Sequence, residues 1–330
     1  MTVEPRLSKR LSAHDPKYKV VGIGGGTGLA TLLRGLKRYD IDLTAIVTIT
    51  DNGGSSGVLR SELNIPPPGD IRNCLTALAK VEALFAELFE YRFSNTNSPL
   101  DNHCLGNLIL AGLTNVVGDF SQAVKEMSRI LAIEGRVLPA ANHPLSLSAH
   151  MADGQIITGE TEIAKYPSKV TKISLFGGDC TPIPETIEAI KEADMIIIGP
   201  GSVYTSLVPN LLLVGMHEVL EDAGAKKVFV CNVMTQRGES DDFTASDHVR
   251  TVLEQAGFDS RLFDYIVVNN AVPGNEVIEK YYAEGQELVM PDIENLTEMG
   301  YKTIVGDFLA YNDEAKHSPR KLAAGVLDIL

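Results

Sequence analysis

Between Lys19 and Ile49 the chain packs a short apolar run, five closely spaced small residues, a helical repeat and a second apolar run into about thirty positions. The first run, Lys19-Val20-Val21-Gly22-Ile23, leads into Gly24-Gly25-Gly26-Thr27-Gly28. From Leu29 to Tyr39, Leu29, Leu32, Leu33 and Leu36 then recur at helical spacing. Leu43 to Ile49 is β-branched and apolar on both faces, as a parallel strand covered on two sides must be. This βαβ opening predicts a parallel sheet, and the chain repeats its logic. Strands are expected at Asp194–Ile198, Lys227–Cys231 and Tyr265–Val268, with helical patterns over Pro184–Ala193 and Ser246–Ala256 between them.

The expected class is therefore α/β: a Rossmann-like doubly wound, mainly parallel sheet with two elaborations. Residues 70–134 read as a largely helical insertion. Leu145 to Thr161 alternates around the turn signal Asp153-Gly154, and Val170 to Leu175 adds another strand, giving an antiparallel excursion. No internal repeat or low-complexity linker divides the chain. Residues 19–330 are read as one nucleotide-binding domain behind a flexible N-terminal tail, 1–18. At 330 residues, with 44% hydrophobic and 22% charged residues, the composition is that of a folded globular chain. Its net charge of −14 opposes general binding to nucleic acid. The four cysteines form no Cys-x-x-Cys pair. With no hydrophobic leader and no apolar run of membrane-spanning length, a cytoplasmic protein without a membrane span is expected.

Four loops carry the chemistry. Gly24, Gly25, Gly26, Thr27 and Gly28 lie where a strand hands over to a helix, so amide groups and the positive helix end converge on an anion. Their spacing is neither Gly-x-Gly-x-x-Gly nor a Walker loop, which disfavours both a nicotinamide enzyme and a P-loop nucleotidase. The second strand ends in Thr50-Asp51-Asn52-Gly53-Gly54-Ser55-Ser56-Gly57, on the same sheet edge. Asp51, Asn52, Gly53, Ser55 and Ser56 are candidates for sugar, base or metal contacts, and Arg60 supplies a cation. Pro68-Gly69-Asp70 precedes a helix that Asp70 would cap or that would turn Asp70, Arg72 and Asn73 toward the same crevice. Gly199, Pro200, Gly201 and Ser202 repeat the glycine-turn arrangement after a later strand. Ser202 lacks the Gly-x-Ser-x-Gly elbow of a hydrolase, and no catalytic residue is assigned. Cys104 is expected to be inert for want of a cationic activator.

Taken together these loops resemble the gluconeogenesis factor family, which is similar to the 2-phospho-L-lactate transferases. The likeness is carried by Gly24 to Gly28, Asp51 to Gly57, Pro68-Gly69-Asp70, Gly106-Asn107, Gly199 to Ser202 and Met234-Thr235-Gln236. It implies a Rossmann-like site for a UDP-sugar such as UDP-N-acetylglucosamine, with Asn107 joining the binding residues. It also implies a role in cell shape and morphogenesis on gluconeogenic carbon sources, without established catalysis. The alternative it carries is a transferase acting on a nucleotide-activated donor. This chain has Asn52-Gly53-Gly54 and Gly199-Pro200-Gly201-Ser202-Val203 where the transferases differ, and Asn52 where relatives place a second aspartate. A magnesium ion accompanying the nucleotide is implied less firmly for that reason. Protein partners in cell-wall or carbon metabolism and a homo-oligomeric state complete the expectations.

Overall fold

The computed structural model describes residues 17–81, 83–94, 97–258, 261–311 and 313–330. Most of the expected tail, 1–18, lies outside these residues. Ten strands follow in chain order: β1 (Lys19–Gly24), β2 (Asp42–Val47), β3 (Arg136–Pro139), β4 (Ser146–Met151), β5 (Ile156–Thr158), β6 (Val170–Phe176), β7 (Met195–Ile198), β8 (Lys226–Val230), β9 (Tyr265–Asn269) and β10 (Lys302–Gly306). Seven form one sheet in the order β10-β9-β8-β7-β1-β2-β3, all neighbours parallel. β4, β5 and β6 make a separate antiparallel sheet, β5-β4-β6. The Rossmann-like α/β class and both elaborations are as expected.

β7 shows why such strands are legible. Met195, Ile196, Ile197 and Ile198 are all fully buried because helices cover the sheet on both faces. Each side chain removed from water on this scale stabilises the fold by about 1.5–3 kcal/mol. Two edge strands carry no such signature. β3 has four residues and ends in Pro139, which is tolerated at an edge. β10 is only half-buried, and Lys302 and Val305 are exposed.

Helix α1 spans Gly26–Leu36, beginning inside the glycine loop rather than at Leu29. Five further helices, α2 (Gly54–Leu63), α3 (Gly69–Leu78), α4 (Ala83–Glu90), α5 (Leu105–Val117) and α6 (Phe120–Ile130), separate β2 from β3. α1 packs on α3 and on the C-terminal helix Pro319–Leu327. α7 (Glu160–Lys165) follows β5. Among the described residues no single helix is long and apolar enough to cross a membrane.

Candidate functional site

From β1 the strand order proceeds through β2 to β3 at one edge of the sheet, and from β7 through β8 and β9 to β10 at the other. The strand order therefore reverses between the parallel neighbours β1 and β7, the place where open α/β sheets form a ligand crevice. A cleft of about 340 Å³ opens there. Gly25, Gly26, Thr27 and Gly28 after β1 and Pro200, Gly201 and Ser202 after β7 form two of its walls. The segment Asn232–Gln236 after β8 adds a third.

Close packing makes this junction depend on missing side chains. A Cβ on Gly28 would lie 2.3 Å from the Pro200 carbonyl oxygen, and one on Gly25 would lie 2.4 Å from the Thr48 methyl and 2.7 Å from Asp70. The N-terminus of α1 thus abuts the Gly199–Ser202 loop; its own first turn holds no acidic residue, and the one carboxylate that reaches it is that of Asp70, on the Gly26 amide. Asn232 fixes the opposite loop: its Oδ1 accepts from the Gly201 amide at 3.0 Å and its Nδ2 donates to the Gly201 carbonyl at 2.8 Å.

Carboxyl groups gather beside these walls. Asp70 sits in the first turn of α3 but does not cap it, since Pro68 is the N-cap residue. Instead its carboxylate accepts from the Gly26 amide. Burial first, then the Asp51 charge, pushes its pKa up to about 6, against the opposing effects of that hydrogen bond and of Arg72. Glu160 lines the cleft from the antiparallel excursion. Burial pushes it up to about 9, with Asp51, Asp70 and Glu239 adding to the rise and a hydrogen bond from Thr205 opposing it. Burial likewise lifts Glu239 to about 7, while the Ser202 hydroxyl, which donates to it at 2.5 Å, holds it back. At neutral pH Glu160 is uncharged, so an anionic ligand meets less repulsion than four carboxyls suggest.

The remaining sequence candidates build the scaffold around the cleft and stand outside its lining. Asn52 accepts from the Thr161 amide at 2.9 Å and donates to Glu162 at 2.7 Å, which holds the start of α7 and so delivers Glu160. Asp51 accepts from the Gly53 amide at 2.8 Å. Ser55 Oγ gathers the His103 ring, the Cys104 amide and the Asn107 amide group at 3.1–3.3 Å. Ser56 packs under Gly69. The Arg60 guanidinium donates to the Thr50 and Asp51 carbonyls and to Ser146, fastening the excursion to the β2 loop. Arg72 donates to Cys104 Sγ and to Asn73 Oδ1, both at 2.5 Å, so Cys104 does have a cationic neighbour. Gly24 and Gly199 flank the strand ends; the Gly24 carbonyl accepts from Asn210 and from the Thr48 amide.

Neither Arg60 nor Arg72 reaches the lining. Among the described residues that line the cleft, the sole lysine or arginine is Lys316, beside His317. Burial holds His317 at about 4, hence neutral. Glu160, Glu239, Asn232, Lys316 and His317 were not singled out from sequence. Lys316 and His317 lie in a stretch without periodic pattern, whereas Asn232 directly precedes the motif Met234-Thr235-Gln236. As for magnesium, no three His, Cys, Asp or Glu side chains among the described residues are placed to hold a metal ion.

A doubly wound sheet with glycine-loop amides at its switch point defines a Rossmann-like protein. The chain belongs to the CofD family, 2-phospho-L-lactate transferase CofD, whose model matches residues 20–309. Its relatives carry a different name. The gluconeogenesis factor of Bacillus subtilis is 49% identical over 315 residues, covering 95% of this chain and 98% of that protein. The gluconeogenesis factor of Halalkalibacterium halodurans is 46% identical over 313 residues, covering 94% and 96%. A crystal structure of a UPF0052 family member from Bacillus halodurans superimposes with a TM-score of 0.91 at 45% identity, covering 95% of this chain and 99% of that one. Lys316 and His317 lie beyond the segment that the family model matches.

Proposed function

We propose that this chain is a gluconeogenesis factor that binds a UDP-sugar of the UDP-N-acetylglucosamine type in the switch-point cleft. In this reading it reports that ligand in the cytoplasm to partners that govern cell shape on gluconeogenic carbon. The observation that carries the reading is the N-terminus of α1 facing the Pro200–Ser202 loop across a cleft lined by Lys316, with only its first amide, that of Gly26, engaged by Asp70. The amides of Thr27 and Gly28 and the Lys316 ammonium suit a diphosphate. Uncharged Glu160 can donate a hydrogen bond to a sugar or phosphate oxygen. Calorimetric titration with UDP-N-acetylglucosamine tests it: saturable binding is expected, and no heat at millimolar ligand removes the reading.

A second reading follows from the gathering of Asp51, Asp70, Glu160 and Glu239 beside that cleft. Such a cluster suits transfer of a phosphoester-linked group of the 2-phospho-L-lactate transferase kind, with raised carboxyls available to exchange a proton. Incubation with a guanylylated phospholactate donor and a deazaflavin acceptor, with and without magnesium, decides it. Product supports the transferase; its absence under both conditions removes that reading and leaves the binding protein.

A further inference from the structure

At the opposite end of the sheet lies a second cavity of about 290 Å³, where the chain enters β2 and β3 and leaves α1 and α3. Three lysines line it from three different segments. Lys17 precedes β1, Lys37 follows α1 and Lys80 follows α3, and Tyr39, Asp40, Glu134 and the Gly135 turn complete the wall. In a chain of net charge −14, three ammonium groups and two carboxylates around one cavity make a local positive excess.

Two of the lysines are engaged in ways that a ligand can displace. Lys17 pairs with Asp40 and Lys80 with Glu134, and all four side chains are substantially exposed. Such pairs contribute about 0–1 kcal/mol each, little enough for an anion to take either ammonium. Lys37 is different. It is half-buried, and its ammonium donates to the Ala79 carbonyl at 3.2 Å, with no described carboxylate at ion-pair distance. Burial pushes its pKa down, Glu134 opposes this, and Arg34 and Lys80 push the same way as burial. An incompletely compensated ammonium in a cavity that two further ammonium groups line asks for an anion.

We propose that this cavity binds a small phosphorylated metabolite, with its phosphate dianion held by the ammonium groups of Lys17, Lys37 and Lys80. Lysine serves phosphate as a point charge, and the volume accommodates a sugar phosphate. The site is separate from the switch-point cleft, so both can be filled together, and it stands whether or not the cleft takes a UDP-sugar.

Calorimetry on the full chain tests it, with a hexose 6-phosphate, inorganic phosphate and the unphosphorylated hexose as probes. The two phosphates are expected to bind and the hexose is not. The double variant Lys37→Gln/Lys80→Gln, which keeps most of each aliphatic stem, weakens hexose phosphate binding by about tenfold or more, as loss of charge-assisted hydrogen bonds requires. The double variant Asp40→Asn/Glu134→Gln removes the competing carboxylates and tightens it. Lys316→Ala, at the other cleft, leaves it unchanged. The proposal is overturned if neither wild type nor the carboxylate variant binds hexose phosphate at millimolar concentration. It is equally overturned if the lysine variant binds as wild type does, or if Lys316→Ala abolishes the signal.

Discussion

Asn232 grips Gly201 by both of its peptide groups, accepting from the amide at 3.0 Å and donating to the carbonyl at 2.8 Å. One side chain from the end of β8 thereby sets the position of the loop that follows β7. Replacement by alanine leaves both Gly201 groups without their partner and frees the loop. Asn232→Ala is expected to lower stability by about 1–2 kcal/mol and to weaken UDP-sugar binding severalfold. Thermal denaturation and calorimetry measure the two effects, and unchanged affinity contradicts this role of the loop.

Two glycines give opposite expectations for one substitution. Gly28→Ala drives a methyl group to 2.3 Å from a backbone oxygen of Pro200, so the α1 junction must open. A loss on the order of 2–3 kcal/mol is expected, together with loss of ligand binding. Gly112→Ala, inside α5, meets no atom within 4 Å and exchanges glycine for a better helix former. It should raise stability by about 0.5–1 kcal/mol. Urea midpoints for the pair suffice to check the contrast.

Stability should fall as pH rises from about 4.5 to about 9. Glu160 is held at about 9 in the folded chain against an ordinary value of 4.5. The folded state therefore binds the extra proton, and its stabilising effect, complete below pH 4.5, is lost as pH rises through about 9. Glu160→Gln carries no titrating proton there. Between pH 6 and 9 the variant's melting temperature should fall less than that of wild type, by roughly several degrees. Parallel curves for the two proteins contradict the burial of this carboxyl.

Lys316 is the one lysine among the described residues that line the switch-point cleft, and its pair with Glu314, at 2.9 Å, is a surface contact. Lys316→Ala should weaken UDP-N-acetylglucosamine binding by about tenfold, the scale of one charge-assisted hydrogen bond, and make the remaining affinity less dependent on salt. Uridine, which lacks the diphosphate, should bind both proteins alike. Titrations at two ionic strengths with the two ligands separate a phosphate contact from a general loss of structure.

The sheet was readable wherever burial imposed a pattern. β1, β2, β7, β8 and β9 are continuous apolar runs because both their faces are covered. β3 and β10 escaped because an edge strand needs fewer apolar side chains, and Lys302 or Arg136 at such a place reads as loop. The start of α1 was hidden for another reason: Gly26, Thr27 and Gly28 are helical through the packing around them, against their own preferences. Similarly the helix expected over Ser246–Ala256 begins at Ala245, capped by Thr244 with Asp247 closing the capping box, because several neighbouring residues can accept and only the backbone decides among them.

By itself the sequence determined the parallel α/β class, the antiparallel excursion and the glycine loops at strand ends, since hydrophobic period and glycine act within a few residues. Which polar groups share the cleft was decided by tertiary structure alone. Glu160, Asn232 and Lys316 come from segments about seventy or more residues apart. Arg60 and Arg72, near in sequence to the β2 loop, are drawn instead onto Thr50, Ser146, Asn73 and Cys104. A charged side chain goes where folding leaves an acceptor, and the fold places those acceptors from strands and loops far apart in the chain.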